Sequence, residues 1–362
     1  MGITGYTNKA LKELGRETLI IHGGAVSSGD KKVTDCLYIP NKNNFDFSLK
    51  TKLKRKELRF ISKSFKSIQK LSKLPKHYKY YIVEAGHTSI LLSKAIGLIK
   101  GKILIWVNTG LPFDLKFNKL NFILKHLLHH SDAFISIGKM NYEILSKFFP
   151  YKPNFLIYPR LVQKPKFRKV PKLNSHNILF FAALGDKTGA YLPRRASYKG
   201  ADIIIRAFNL LKRQIPDLKL YVVGAYNNAV IDSLGKNKDI LFLGYVKDIR
   251  DAIEKCSVAV NIGRGDAFPA TSIETMYFGL PTIVSEYTGT KEIVEKVNKQ
   301  FVSPLNPVKL AGILTNYFSL NWHKKLALSK ASIHAVKDFY NQHKIKPIQV
   351  DYLRFIKNID SK

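Results

Sequence analysis

Apolar residues along this chain recur in two rhythms that alternate. Short runs rich in β-branched and aromatic residues, at 18–22, 80–84, 103–107 and 133–137, read as buried strands. Between them, 89–99, 118–129 and 141–148 carry apolar positions at helical spacing. Such an order predicts a parallel sheet with helices on both faces. Ahead of it, 6–14 has helical character and leads into the strand at 18–22, so the sheet opens on a helix and its usual first strand is missing. A second alternation follows, with strands at 177–182, 219–223, 240–243, 258–262 and 282–284 and helices at 201–214, 249–255, 270–278 and 291–297. The tail, 327–359, reads as helix broken at Pro347. Between the two series, 151–175 holds Pro153, Pro159, Pro165 and Pro171 with little periodicity, as an interdomain linker would. The pattern therefore predicts an α/β protein of two doubly wound parallel-sheet domains, and 362 residues are enough for two cores.

Composition adds two constraints. An apolar fraction of 45% with 12% aromatics marks a globular chain. The 60 Lys+Arg against 26 Asp+Glu give a formal charge of +34, a field that attracts nucleic acid, anionic lipid or phosphorylated ligands without choosing among them. Residues 41–80 hold 13 of these cations and two acids, with Leu49, Leu53, Leu58, Ile61, Phe65, Ile68 and Leu71 spaced as an amphipathic helix. That basic segment, 49–74, packs on the first sheet or touches an anionic membrane. The best membrane-span candidate, 89–107, is interrupted by Lys94, Lys100 and Lys102. Cys36 and Cys256 lack ligand-spaced partners and read as small buried residues of a reducing compartment; with no signal-peptide pattern the expected location is the cytoplasm, peripheral on the inner membrane face if the basic helix docks there. His126, His129 and His130 share a helix without acidic or cysteine partners, so no metal is expected.

One stretch carries chemistry. In "GRGDAFPATSIETMYFGLPTIVSEYTGTKEIVE", Pro269 suits the first turn of a helix and Gly279 the position past its end. The loop 263–268 then follows a strand's carboxyl end and feeds a helix N-terminus, where open α/β sheets bind ligands. The first-turn amides of Thr271, Ser272 and Ile273 favour an anion such as phosphate. Asp266 and Glu274 stand at two heights along the same groove, and each carboxylate can accept from vicinal hydroxyls. Phosphate in the middle and sugar hydroxyls at both ends describe a nucleotide sugar.

These residues resemble a known family. Asp266-x7-Glu274 with "FGLPTIVSEYTGTKEIV" looks like the E-x7-E region of the GT-B, group 1 glycosyltransferases, with Asp in place of the first Glu. "SYKGADIIIRAFNLLK", "DILFLGYVKDIRDAIEKCSVAVNIG" and "YTNKALKELGRETLII" extend the resemblance over nearly the whole chain. It implies a GT-B architecture: a domain at 1–165 on the acceptor side, a nucleotide-sugar domain at 166–340, and a last helix, 341–362, packing back on the first domain. It implies that Asp266 contacts the donor sugar, Glu274 the ribose and Lys199 the diphosphate, with the base near Gly244 and Tyr245. Amides around Phe268, Ala270, Thr271 and Ser272 would approach the sugar and diphosphate. The family's second-domain arginine would fall at 182–184, where none stands; Arg194 or Arg195 is the substitute. Its first-domain histidine would fall in "WVNTGLPFD", which offers Asn108 and Thr109, leaving His87 as the nearest alternative.

The implied activity is transfer of a sugar from a nucleotide-diphosphate donor, UDP- or GDP-linked, to a lipid-linked, glycan or protein acceptor. No further cofactor is implied, and the chain contains no Asp-x-Asp triplet of the kind that holds a metal, so a metal-independent reaction with retention is expected. Two alternatives stand beside it. One is a basic nucleic-acid-binding protein, although no helix-turn-helix, zinc-finger, RNA-recognition or KH pattern occurs. The other is a catalytically inactive relative of the transferases.

Overall fold

A computed structural model describes residues 18–22, 36–38, 79–83, 87–107, 121–159, 171–184, 196–226, 232, 237–343 and 348–360. The basic segment 49–74, Asn108, Thr109, Arg194 and Arg195 lie outside these residues. The chain divides into two compact units, 1–158 with 346–362, and 159–345.

In the first unit, β1 (Thr18–His22), β2 (Cys36–Tyr38), β3 (Tyr80–Val83), β4 (Lys102–Val107), β5 (Ala133–Ile137) and β6 (Asn154–Ile157) form one parallel sheet. Its order is β2-β1-β3-β4-β5-β6, with β1 paired directly to β3. Helices α1 (His87–Ala95), α2 (Asn121–Leu128) and α3 (Lys139–Phe148) connect the strands. Strands β3 and β5 are buried at every position, and β4 at all but its first, which is why their sequences are continuous apolar runs. The 154–157 segment departs from the expected linker. It pairs in register with β5 as an edge strand, and Ser136 on β5 donates its hydroxyl to Asn154 Oδ1 at 2.7 Å.

The second unit follows the same logic with β7 (Asn177–Phe181), α4 (Ala201–Lys212), β8 (Lys219–Val223), β9 (Ile240–Gly244), α5 (Arg250–Ile253), β10 (Val258–Asn261) and α6 (Ala270–Tyr277). It continues through β11 (Thr282–Ser285), α7 (Lys291–Val297), β12 (Val302–Ser303), α8 (Pro307–Phe318) and α9 (Trp322–Gln342). The parallel order β12-β11-β10-β7-β8-β9 reverses direction between β7 and β10. A doubly wound sheet opens a crevice at the carboxyl ends of such a pair. The loops leaving β7 and β10 are therefore the ones placed to meet a ligand, and they carry Lys199 and Asp266.

A final helix, α10 (Ile348–Asp360), belongs to the first unit. Phe155 on β6 lies stacked on Phe355 at 5.0 Å and edge-on to Tyr352 at 5.3 Å, and Lys102 on β4 donates to the carbonyl of Ile359. Ile356 and Tyr352 are buried there. Among the described residues no helix is long and apolar enough to cross a membrane. Replacing Phe155 with alanine should cost about 2 kcal/mol, below the range for a fully buried aromatic. Limited proteolysis should then cut the segment entering α10 faster than in the native chain.

Candidate active site

The site is assembled from two loops. The first runs from 196 to 200 into α4. Gly200 adopts φ +80, and a Cβ there would stand 2.1 Å from the Ile262 carbonyl oxygen, so only glycine lets this turn approach the end of β10. The second is 263–268, between β10 and α6. Tyr198 accepts the Arg264 amide at 2.7 Å through its carbonyl, and its hydroxyl donates to the Gly265 carbonyl at 2.9 Å. On the other side, Ser285 at the end of β11 donates to the Gly263 carbonyl at 2.5 Å, and the Gly289 amide donates to the Asp266 carbonyl at 2.9 Å. Asp266 is thereby fixed by backbone contacts from both directions.

Its side chain is 9% exposed, and its Oδ2 meets Lys199 Nζ at 2.5 Å. A carboxylate withdrawn from water needs such a partner. Two residues assigned separately to the sugar and the diphosphate are thus in direct contact. Glu274 differs. It sits half-buried on α6, burial lifts its carboxyl above the ordinary carboxylate range, and no hydrogen bond or ion pair to it forms among the described residues. Tyr340 on α9 lies close enough to feel its charge. Burial first, and Glu274 second, push the Tyr340 phenol upward, while its hydroxyl donates to the Pro159 carbonyl at 2.9 Å. Phe268 is buried and stacked on Phe339 at 5.6 Å, which anchors the start of α6 to α9.

Helix α6 begins at 270 as its pattern predicts, with Pro269 one position ahead of the first turn instead of inside it. Pro269 is the N-cap, at φ −63 and ψ 115, and the first helical residue is Ala270. From there the Pro269 carbonyl turns back over the first turn and takes the Ser272 amide at 3.1 Å, so that amide is not left for a ligand. The Ser272 hydroxyl is buried without a partner among the described residues. Ala270 is exposed and Thr271 half-buried, so their amides remain at the open end of the helix. The C-terminus is as expected: Gly279, at φ +83, donates to Met276 and Leu280 donates to Thr275, closing the helix with paired capping bonds.

Residues 181–331 match the family described as glycosyl transferases group 1. The matched stretch contains Lys199, Asp266 and Glu274. Over 208 residues the chain is 24% identical to an uncharacterized glycosyltransferase of Haemophilus influenzae, covering 52% of this chain and 59% of that protein. It is 27% identical over 167 residues to mannosylfructose-phosphate synthase of Agrobacterium fabrum, covering 41% and 36%. The chain thus spans less than two thirds of the length of these curated relatives. Its fold is that of the GT-B structures: Anabaena Alr3699/HepE, solved with UDP and glucose, superposes with TM-score 0.60 at 14% identity over 96% of this chain and 100% of that one.

Within the second unit, Gly244 ends β9 at φ +67 and its carbonyl takes the Gly224 amide at 2.8 Å, while Tyr245 beside it is 88% exposed. Both stand on the same carboxyl edge of the sheet as Asp266. His87 lies in the other unit, at the first position of α1. Among the described residues no group of three or more His, Cys, Asp or Glu could hold a metal. Sequence reading missed Arg264 and Asp202, whose guanidinium and carboxylate make a forked pair at 2.7 and 2.8 Å. They are 62 residues apart, and only the sheet order brings them together. The tightest packing is at Gly289, where a Cβ would stand 1.6 Å from the Ala267 carbonyl oxygen. Gly289→Ala must displace the loop that carries Asp266. It should cost more than about 3 kcal/mol and lower the melting temperature of the second unit by on the order of 10 °C.

Proposed function

We propose that this protein is a glycosyltransferase that holds a nucleotide-diphosphate sugar at the switch point of its second sheet. The observation carrying this reading is the Lys199–Asp266 pair, 2.5 Å apart, at the meeting of the β7 and β10 loops and ahead of the open end of α6. Lys199 and the amides at the start of α6 suit the diphosphate, and the Asp266 carboxylate suits a sugar hydroxyl. Glu274, half-buried and unpaired in the helix that follows, suits the ribose diol. Proteins of similar fold and family support the reading: the Anabaena protein was solved with UDP and with UDP-glucose.

In the reaction, the bond from the sugar's anomeric carbon to the diphosphate oxygen breaks. A bond from an acceptor hydroxyl oxygen to that carbon forms, and the hydroxyl proton passes to the departing diphosphate or to water. Negative charge grows on the leaving group, and Lys199 with the amides at the start of α6 would stabilise it there. That arrangement supplies what a divalent cation would otherwise do, and we propose a metal-independent transfer with retention to a glycan, lipid-linked or protein acceptor.

A thermal-shift screen with UDP-glucose, GDP-mannose, ADP-glucose and dTDP-glucose in EDTA tests the assignment. A true donor at a hundred times its Kd stabilises by about 2.7 kcal/mol, a rise on the order of 5–10 °C. No shift with any of the four would overturn it. Glu274 supplies a pH signature. Its carboxyl ionises above the usual range in the folded chain, so its ionised form opposes folding above that pKa and costs nothing below the ordinary value. Ribose hydroxyls donate to the ionised form, so donor affinity should strengthen as pH rises through the lifted pKa. Glu274→Gln should flatten that profile and weaken the donor at least about tenfold, with no loss of melting temperature at pH 7. An unchanged profile, or a fold weakened while binding survives, would contradict the role.

A further inference from the structure

We propose that Arg264 and Asp202 are positioning residues of the donor site, a latch that holds Lys199 and Asp266 in register without touching the donor. The inference rests on the donor-site reading above. Arg264 stands two residues before Asp266, and Asp202 three residues after Lys199, in the first turn of α4. Nη1 of Arg264 donates to Asp202 Oδ1 at 2.8 Å and Nη2 donates to Oδ2 at 2.7 Å. Nη1 also donates to the Ser197 carbonyl. With the two Tyr198 bonds, both at hydrogen-bond distance, the loops are joined at Ser197, Tyr198 and Asp202 on one side and at Arg264 and Gly265 on the other. Lys199 falls inside that joined span, and Asp266 follows directly after it.

Such a latch answers a geometric problem. Lysine ends in a point charge on a flexible stem, and aspartate reaches one methylene less far than glutamate. A shift of about 1 Å between the loops would break their contact and move both groups off a bound donor, with large losses in binding or rate. A guanidinium fork fixes distance and plane together, which an ammonium cannot do. The pair is partly exposed, with side chains 23% and 38% accessible, so it adds little to stability by itself. Its value lies in placement.

Epistasis in the full chain separates placement from general stability. Dissociation constants for the best of the four nucleotide sugars named above, measured by calorimetry together with melting temperatures, would be compared across Arg264→Met, Arg264→Lys, Asp202→Asn, Lys199→Met and the double variant Lys199→Met/Arg264→Met. Arg264→Met and Asp202→Asn should each weaken the donor about tenfold or more while melting falls by only a few degrees. Arg264→Lys should recover part of the affinity. The double variant should bind no worse than Lys199→Met alone, because the latch acts through the lysine–aspartate pair. Equal losses from Arg264→Met in both backgrounds, or full affinity in Arg264→Met, would overturn the proposal. If the native chain binds none of the sugars, the donor-site reading itself fails, and the latch with it.

Discussion

A carboxylate drawn out of water must find a cation or take up a proton, and among the described residues Lys199 is the cation that meets Asp266. Everything near the switch point of the second sheet serves that contact. The sheet reverses between β7 and β10, which puts the loops after those two strands side by side. Glycines at 200 and 289 let backbone approach backbone where a Cβ would collide with a carbonyl. Hydroxyls from Tyr198 and Ser285 take up the loop's carbonyls from opposite sides. The buried ion pair is weak evidence for stability in itself, and a protein seeking only stability could fill the place with apolar side chains. Its presence at the edge where α/β sheets bind ligands points to use.

The two acids expected to grip one ligand turn out to be in opposite states. Asp266 is paired and well buried; Glu274 is half-buried, unpaired among the described residues and shifted upward by desolvation. A half-buried carboxyl with no cation beside it among the described residues stands out on a chain of +34. Carboxyls with raised pKa cluster at ligand sites, often at the cost of some stability. Tyr340 adds a neutral phenol nearby and, through its bond to Pro159, ties α9 to the segment that enters the second unit.

Much of this was legible in the residues. Proline and glycine punctuation bracketed α6 to within one residue, because Pro269 and Gly279 each suit few backbone positions. Strands β5 and β8 and helix α7 were bounded correctly, since each is a short periodic run between clear breaks. Strand β6 was hidden by its flanking prolines and its mostly half-buried residues, a weak pattern for an edge strand. Helix α8 was passed over although Asn306 and Pro307 announce it, the asparagine capping Val308 and Lys309 and the proline opening the first turn. The Arg264–Asp202 fork could not be read at all, because periodicity records local structure and this pair is created by sheet order. The basic segment 49–74 and Arg195 lie outside the described residues, so the membrane and arginine expectations rest on sequence alone.

The most direct test of the donor site is a crystal structure of the chain with an intact nucleotide sugar. The account predicts the diphosphate within hydrogen-bond reach of Lys199 Nζ and the Thr271 amide, a sugar hydroxyl on Asp266 and the ribose on Glu274. A nucleotide bound elsewhere, with the Lys199–Asp266 pair undisturbed and Glu274 empty, would contradict it.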